Sequence, residues 1–370
     1  MADNLYVHFP FCRSRCSYCT LYSRVGTTAD ARAAYVESIR AALESLGNHL
    51  TTLYFGGGSP ALCDLSPLCA PLKHCTTGQT CFAMFEFTVE LHPLDVTPEK
   101  LDELTSIGVN RISMGVQSLD DDVLRAMGRG YTADDAARAF ALVKSRFDNA
   151  GIDLIVGYPG ERPDVAERLA PLAGWGLRHC SVYSLQNERG LKNVPDDDTV
   201  LDRIRAVAAF LKTLGLERYE ISNYAVPGYE CRHNLAVWRG EDYIGLGDGA
   251  CGRLGLTRTR NWWGQTPNQW GQTPQNSDAA SKWRGQTPQN RWGQSPQNSV
   301  VETVSEGSDL KERTLFRLRT RDGLDTTRFP GWRPTLDRFV GEGLLVRRGV
   351  VYCLTERGTE VCDAILAEIV

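Results

Sequence analysis

The chain has 370 residues, of which 42% are hydrophobic and 23% charged, with a formal net charge of −4. This length allows one large α/β domain plus a smaller one, and the charge argues against a general nucleic-acid binder. No run approaches the ~20 apolar residues of a membrane span, and the N-terminus lacks a signal-peptide pattern. We therefore expect a cytoplasmic protein without an integral membrane segment, whose twelve cysteines are thiols or metal ligands.

The first half of the sequence alternates short apolar runs with longer amphipathic stretches. The runs that predict buried strands are NLYVHF, TTLYFGGG, EFTVEL, RISMGV, GIDLIVGYPG and HCSVYSL. Most precede a helix-like stretch, as in TPEKLDELTSIG, where Thr97 is the expected N-cap and Pro98 the first helical residue. Six βα units predict a parallel sheet covered by helices, interpreted as a partial (β/α)6 barrel of TIM type. The barrel is assigned to residues 1–225, and residues 226–260 complete it.

Three cysteines follow the first predicted strand, in the spacing Cys-x3-Cys-x2-Cys: Cys12, Cys16 and Cys19. A structural zinc site usually needs four protein ligands, and no fourth lies nearby. A [4Fe-4S] cluster held by three cysteines leaves one iron open to a substrate or cofactor. If that cofactor is S-adenosylmethionine (SAM), its amino and carboxylate groups can chelate the open iron, and electron transfer can then release a 5′-deoxyadenosyl radical. The alternative is a set of three core thiols.

Four further cysteines, Cys63, Cys69, Cys75 and Cys81, recur every six residues. This spacing matches no usual cluster or zinc pattern, and it puts neighbouring members on different faces of a helix. We expect buried thiols.

The composition changes abruptly from residue 261 to residue 299, where Gly-Gln-Thr/Ser-Pro occurs four times. Such a density of proline and glycine cannot sustain a helix or a central strand, so we expect a disordered insertion with polyproline II character. The alternative is a partner-binding ladder of tryptophans. Residues 300–370 then predict helix, helix, a two-stranded wing and a final helix. We interpret this winged-helix-like module as packing on the barrel, since a fold alone does not specify DNA binding.

The cysteine loop together with GGGSP after the second strand resembles the radical SAM superfamily. Other motifs resemble the oxygen-independent coproporphyrinogen oxidase group and, within it, the heme-chaperone branch: FTVELHP, GVNRISMGVQSL, IDLIVGYPGE, RYEISNYAVPGYECRHNLAVWRGEDYIGLGDGACG and EGLLVRRGVVYCLTERG. Leu21 stands where the dehydrogenase branch is expected to carry a further cysteine. The segment CRHNLAVW is similar to the heme-associated motif of the chaperone branch.

The resemblance implies a heme chaperone that carries a [4Fe-4S] cluster on Cys12, Cys16 and Cys19, and also SAM. It further implies an electron donor for the cluster and a respiratory protein that accepts the heme. The chain would then associate transiently with the membrane during delivery.

The glycines of GGGSP can bring the backbone close to a ligand and leave N–H groups free to bind it, and the Glu90 carboxylate can hold ribose hydroxyls or the methionyl ammonium. The resemblance implies that the residues around cluster-bound SAM are Tyr6, Gly57 and Glu90, while Gly56 is a SAM-binding candidate as the first residue of GGGSP. Those matching a second SAM site are Tyr18, Gly58, Ser59, Gln117, Arg129 and Asp153. Two alternatives to SAM binding stay open. Glu90 can be an exposed acid at the end of a strand, and Arg129 and Asp153 can form an ion pair at the barrel mouth.

His233 is the candidate heme ligand, because neutral imidazole ligates heme iron. The alternative role for His233 is structural, as a histidine that hydrogen-bonds the barrel. Cys231 can supply a thiolate instead, Trp238 can pack on a porphyrin or fill the core, and Cys251 is a weaker candidate.

Two other functions stay open. One is an enzyme that decarboxylates the propionates of a porphyrinogen to vinyl groups by a radical route, which Leu21 argues against. The other is a protein whose cluster is structural. That hypothesis draws on the repeat insertion and on Val237 and Cys251, where the family pattern has tyrosine and histidine.

Overall fold

The computed structural model describes residues 3–46, 50–76, 85–262 and 298–369. The first part of the chain contains, in order, β1 (Asn4–Phe9), β2 (Phe11–Cys12), β3 (Arg24–Val25), α1 (Ala29–Glu44), β4 (Thr52–Gly57), α2 (Cys69–Thr76), β5 (Glu86–Leu91), α3 (Pro98–Ser106), β6 (Arg111–Gln117), α4 (Asp121–Met127), α5 (Ala133–Lys144), β7 (Ala150–Val156), α6 (Val165–Arg168), β8 (His179–Ser184) and α7 (Asp197–Thr213). The second part contains β9 (Glu217–Arg218), β10 (Asn223–Ala225), α8 (Arg232–Trp238), β11 (Tyr243–Leu246), β12 (Cys251–Leu254), β13 (Thr257–Trp262), β14 (Asn298–Thr303), α9 (Glu306–Phe316), β15 (Leu324–Asp325), α10 (Arg333–Gly341), β16 (Leu345–Arg348), β17 (Val351–Leu354), α11 (Glu356–Glu360) and α12 (Cys362–Ile369).

The six predicted strands are confirmed as β1, β4, β5, β6, β7 and β8, which lie side by side in that order and run parallel. β11 adds a seventh parallel strand beside β1. Antiparallel strands extend the sheet at both edges, with β12, β13 and β14 on one side and β10 and β9 on the other. The sheet therefore stays open between β14 and β9, and the partial TIM-type barrel is confirmed.

Alternation along the strands separates an apolar outer face from a polar inner face. In β1, Leu5, Val7 and Phe9 are completely buried in the core shared with the helices, while Tyr6 and His8 point to the other face. The same alternation continues through β4 to β8. The barrel interior therefore carries hydroxyl, carboxylate and guanidinium groups that a ligand can contact.

Local signals also set the helix ends. The Thr97 side chain accepts a hydrogen bond from the Lys100 backbone nitrogen, and Pro98 begins α3, as predicted.

The C-terminal residues form a small module with its own apolar core, built mainly from α9, α10, α12 and β17. The predicted wing is β16 and β17, and the short strand β15 pairs on the other side of β17. The final helix is divided into α11 and α12 around Val361. A bidentate ion pair from Arg205 of α7 to Glu360 of α11, at 2.7 and 2.8 Å, fastens the module to the barrel.

The predicted insertion lies between the two strands of a hairpin. β13 and β14 pair antiparallel, with Trp262 opposite Asn298, so both strands reach a short way into the repeat region. Residues 263–297 lie outside the described residues, and disorder or a tryptophan ladder there stays a prediction.

Two of the evenly spaced cysteines can be placed. Cys63 is buried as expected, whereas Cys69 is only half-buried and its thiol faces the Ser106 carbonyl at 3.7 Å. The side chains of Cys75 and Cys81 lie outside the described residues. Over the described ranges, no helix has the length and apolar character needed to cross a bilayer.

Candidate cofactor and ligand site

A cavity of about 1110 Å³ opens at the C-terminal ends of the barrel strands and extends to the C-terminal module. The predicted site residues that line it are Cys12, Cys16, Cys19, Tyr18, Gly57, Gly58, Ser59, Glu90, Gln117, Arg129 and Asp153. Tyr6, Gly56 and His233 are not among its lining residues.

Cys12 ends β2, and the loop that follows carries Cys16 and Cys19 and is held by contacts with the segment around Met127. The Ser17 backbone nitrogen donates to the Met127 carbonyl at 3.1 Å, and Arg129 Nη1 lies 3.4 Å from the Cys16 sulfur. Burial, with the neighbouring Cys19 and Cys16, raises the pKa of Cys12 to about 11, and burial also raises the pKa of Cys19. Thiolates at these positions therefore need a cationic centre to stabilise them.

The donor set fits a cluster better than a single ion. Among the described residues, no three His, Cys, Asp or Glu side chains converge closely enough to hold one metal ion. In a four-iron cluster each thiolate binds a different iron, so the thiols need only surround it. Cys12, Cys16 and Cys19 are neighbours that line one cavity, so their thiols share the space in which a cluster would lie.

The loop after β4 requires glycine because it lies directly on neighbouring groups. A Cβ on Gly57, whose φ is +104°, would lie 2.6 Å from His8 Nδ1. A Cβ on Gly58 would lie 2.9 Å from the Phe11 nitrogen and closer still to the Phe11 carbonyl oxygen. At Gly56 a Cβ would be 3.0 Å from the Glu90 carboxylate. The glycines thus let this loop contact the cysteine strand and make room for Glu90.

The expectation that these backbone N–H groups are free for a ligand is wrong. Those of Gly58 and Ser59 donate to the carbonyls of Phe9 and Phe11, each at 2.7 Å. The Gly57 N–H donates to Glu90 Oε2 at 3.1 Å. These bonds fix the loop against its neighbours because a buried donor left unpaired is costly.

Glu90 is the carboxylate at the centre of the barrel mouth. It accepts a hydrogen bond from the Tyr54 hydroxyl at 2.8 Å, in addition to the Gly57 N–H. Burial, followed by the charge of Asp153, raises the pKa of Glu90 to about 7. Burial raises the pKa of Asp153 as well, although the Ser113 hydroxyl donates to it at 3.0 Å. Two buried carboxylates of this kind favour a cationic ligand between them.

The raised pKa of Glu90 predicts a pH-dependent gain in stability for Glu90→Gln. Between its ordinary value of 4.5 and about 7, the folded ligand-free chain binds more protons than the unfolded chain, so wild-type stability falls as pH rises. The stability of Glu90→Gln relative to wild type should therefore rise by about 2–3 kcal/mol between pH 5 and pH 8. Urea unfolding at both pH values measures this difference. Glu99→Gln, at an exposed position of α3, is the control, and an effect of Glu90→Gln that is equal at the two pH values would contradict the prediction.

Gln117 and Arg129 complete this wall of the cavity. Gln117 has a φ of +70°, where non-glycine residues are strained, and it lies at an irregularity in the pairing of β6 with β7. Arg129 Nη2 donates to the Gly115 carbonyl at 2.6 Å, and Nε to the Tyr131 hydroxyl at 3.0 Å. Arg129 and Asp153 do not form the ion pair given above as an alternative. Asp153 accepts a hydrogen bond from Ser113 instead, and Arg129 donates to the Gly115 and Tyr131 oxygens.

His233 lies at the opposite end of the barrel. Its Nδ1 is 2.8 Å from the Thr52 hydroxyl, and its backbone nitrogen donates to Glu86 Oε1 at 3.0 Å. Thr52 and Glu86 are the first residues of β4 and β5, whereas the cavity lies where the strands end. Burial lowers the pKa of His233 to about 3, so the ring is neutral. In this structure His233 therefore matches the alternative given above, a histidine that hydrogen-bonds the barrel strands.

The other candidates for heme binding, and Tyr6 from the SAM set, lie in different parts of the structure. Cys231 is buried, and its sulfur lies 3.5 Å from Glu86 Oε1, while Cys251 is exposed on β12. Trp238, at the far end of α8, does line the cavity. Tyr6 lies inside the barrel, where its hydroxyl is 3.0 Å from His8 Nδ1.

Two contributors to the site were missed from the sequence. Tyr54, which bonds Glu90, could have been found by alternation, because it precedes Gly56 by two residues and shares its face of β4. Asp95 accepts hydrogen bonds from the side chains of Ser59 and Arg13, and no local motif marks it.

Comparison with known proteins gives consistent results. A family model described as the radical SAM superfamily matches residues 6–172. The heme chaperone HemW of Lactococcus lactis is 33% identical over 275 residues, covering 70% of this chain and 72% of that protein. HemW of Mycobacterium tuberculosis is 30% identical over 384 aligned positions, covering 98% and 93%.

Among solved structures, the coproporphyrinogen III oxidase HemN of Escherichia coli has the same fold. The two superpose with a TM-score of 0.75 at 19% identity, covering 99% of this chain and 89% of that one.

Proposed function

The chain belongs to the HemW family of heme chaperones, within the radical SAM superfamily, and on this premise we propose that it binds heme in the large cavity and transfers it to an acceptor protein. Members of this superfamily carry a [4Fe-4S] cluster and SAM. When bound, the cluster supplies an electron that can cleave a carbon–sulfur bond of SAM.

The residues at the barrel mouth would hold these cofactors. Cys12, Cys16 and Cys19 would hold the cluster, on the loop that Arg129 and Met127 support. Glu90 would face the positively charged part of SAM, since its carboxylate is buried and lacks a cationic partner within hydrogen-bond distance among the described residues.

The observation that carries the heme proposal is the remainder of the cavity, which continues past the cofactor site to the C-terminal module. The whole cavity, with the cofactor site included, has a volume of about 1110 Å³, which exceeds that of an ordinary small-molecule pocket, about 300–1,000 Å³. Apolar and aromatic side chains dominate this part: Ile155, Val182, Tyr183, Leu185, Leu201, Ile204, Ile221, Trp238 and Val361. A flat, largely apolar ring would be buried favourably against such walls.

Ligation of the heme iron by His233 remains a hypothesis, and it requires α8 to move, because the ring is buried outside the cavity. We further propose an electron donor for the cluster. We also propose a respiratory acceptor, with transient membrane association during transfer.

The direct test is heme binding and transfer by the anaerobically reconstituted protein. We expect a saturable Soret spectrum on heme titration and transfer to apomyoglobin as a surrogate acceptor. His233→Ala should leave this spectrum unchanged if the histidine acts only in the barrel, and should shift it if the histidine ligates iron.

A parallel assay with coproporphyrinogen III measures 5′-deoxyadenosine and vinyl product. We expect neither to depend on the substrate. Substrate-dependent formation of both would establish the oxidase activity instead.

A further inference from the structure

We infer that two arginines on the cavity wall beside the C-terminal module, Arg218 and Arg319, form a carboxylate-binding subsite that receives the propionates of a bound heme. This inference rests on the proposed heme binding and adds to it the orientation of the ligand.

Arg218 has a guanidinium that is oriented but not neutralised. It extends from the edge strand β9, where Nη1 donates to the Thr359 hydroxyl at 2.7 Å and Nη2 donates to the Tyr224 hydroxyl. Both partners are neutral, and Arg218 forms no ion pair with a carboxylate of the described chain. The nearby Glu360 carboxylate is already bound by both arms of Arg205. Arg218 therefore presents its charge to the cavity in a fixed orientation.

Arg319 is fixed in a different way, by stacking on an aromatic ring. Its guanidinium lies 5.3 Å from the centre of the Trp238 ring, and both residues line the cavity. Nη2 donates to Asp363 at 2.7 Å, but the Asp363 side chain is 83% exposed, so water weakens this pair. Nε of Arg319 is buried and has no hydrogen-bond partner. A carboxylate in the cavity can thus compete with Asp363 for the Nη groups of Arg319, while the buried Nε takes no part.

The remaining carboxylate near the two arginines is Glu220. It accepts hydrogen bonds from the Ser222 backbone nitrogen, at 3.0 Å, and from the Asn223 side chain. Burial raises the pKa of Glu220 to about 7, which reduces its charge near neutral pH. This part of the wall therefore keeps an excess of positive charge, although apolar side chains such as Ile221 and Val361 surround it.

Heme matches this combination of groups, because its apolar ring carries two carboxylates on one edge. Guanidinium groups bind carboxylates through paired, charge-assisted hydrogen bonds, which are strengthened where water is excluded. With the propionates at Arg218 and Arg319, the ring would point along the apolar walls toward the barrel mouth. The other carboxylate available to this cavity is that of SAM, and an experiment can separate the two sources.

The test compares heme with its dimethyl ester, in which both carboxylates are blocked, on the cluster-loaded full-length protein. We expect the wild type to bind heme about a hundredfold more tightly than the ester, because the ester loses the interactions with both arginines. Arg218→Gln and Arg319→Gln should each weaken heme binding about tenfold and change ester binding less than about twofold. Arg218→Lys, which keeps the charge without the planar fork, should be intermediate. The control is Arg317→Gln, on an exposed arginine of the same segment.

Several outcomes would overturn the inference. Equal loss of heme and ester binding would mean that the arginines support the fold, and unchanged heme binding would mean that they do not meet the propionates. Weaker SAM binding in the glutamine variants would assign the subsite to the carboxylate of SAM. A wild type that binds ester as tightly as heme would overturn the inference alone, whereas a wild type that binds neither would overturn the proposed function with it.

Discussion

Replacing Cys12, Cys16 or Cys19 with alanine is expected to abolish the absorption at roughly 400 nm of the anaerobically reconstituted protein, because thiolates hold iron–sulfur clusters. The three thiols line the cavity at the barrel mouth, Cys12 from the end of β2 and the other two from the loop that follows, whereas Cys362 lines it from the C-terminal module. Loss of one would leave a second iron without a protein ligand. Iron content and absorption of each variant should fall together.

Two other thiols provide matched controls for these variants. Cys69 is half-buried and faces the Ser106 carbonyl away from the cavity, and Cys251 is exposed on β12. Alanine at either position should leave iron content and absorption at the wild-type level. Iron loss in the Cys69 variant as large as in the Cys12 variant would contradict the assignment of the cluster to the loop.

Gly58→Ala is expected to damage the site through the backbone. The added Cβ would overlap the Phe11 peptide, and Phe11 directly precedes Cys12. Neither side can give way easily, because the Gly58 N–H is bonded to Phe9 and the neighbouring Ser59 N–H to Phe11. We expect a loss of about 1–3 kcal/mol in unfolding free energy, as for overpacked cores, with lower iron content after reconstitution.

Gly174→Ala is the control for that substitution, since a Cβ there would have no atom within 4 Å. Thermal unfolding and iron analysis of the two variants should differ clearly. If Gly58→Ala retained full stability and full iron content, the close packing of the glycine loop on the cysteine strand would be refuted.

The barrel strands could be predicted because their signal is local. Each strand alternates outer apolar with inner polar residues, and each is bounded by turns, so periodicity alone located β1 and β4 to β8. The cysteine and glycine loops follow successive strands, which predicted that they share one end of the barrel.

Contacts distant in the sequence could not be predicted in the same way. His233 meets Thr52 across 181 positions of sequence, and nothing in CRHNLAVW indicates that its ring turns to the start of β4. Ser59 appeared free to bind a ligand, but its hydroxyl is engaged by Asp95. Arg218 and Arg319 gain their position from the docking of the C-terminal module, a contact that no periodic pattern encodes.

The hairpin of β13 and β14 makes the chain tolerant of variation in length at one defined point. Trp262 and Asn298 are opposite partners in the ladder, so a connection of two residues or of many joins them without moving either strand. Each doubling of a flexible connection costs only about 0.6 kcal/mol in closure entropy. A foreign domain or a spectroscopic label grafted there would be carried at the sheet edge that begins with β14, whereas the part of the cavity that Arg218 lines lies at the β9 edge.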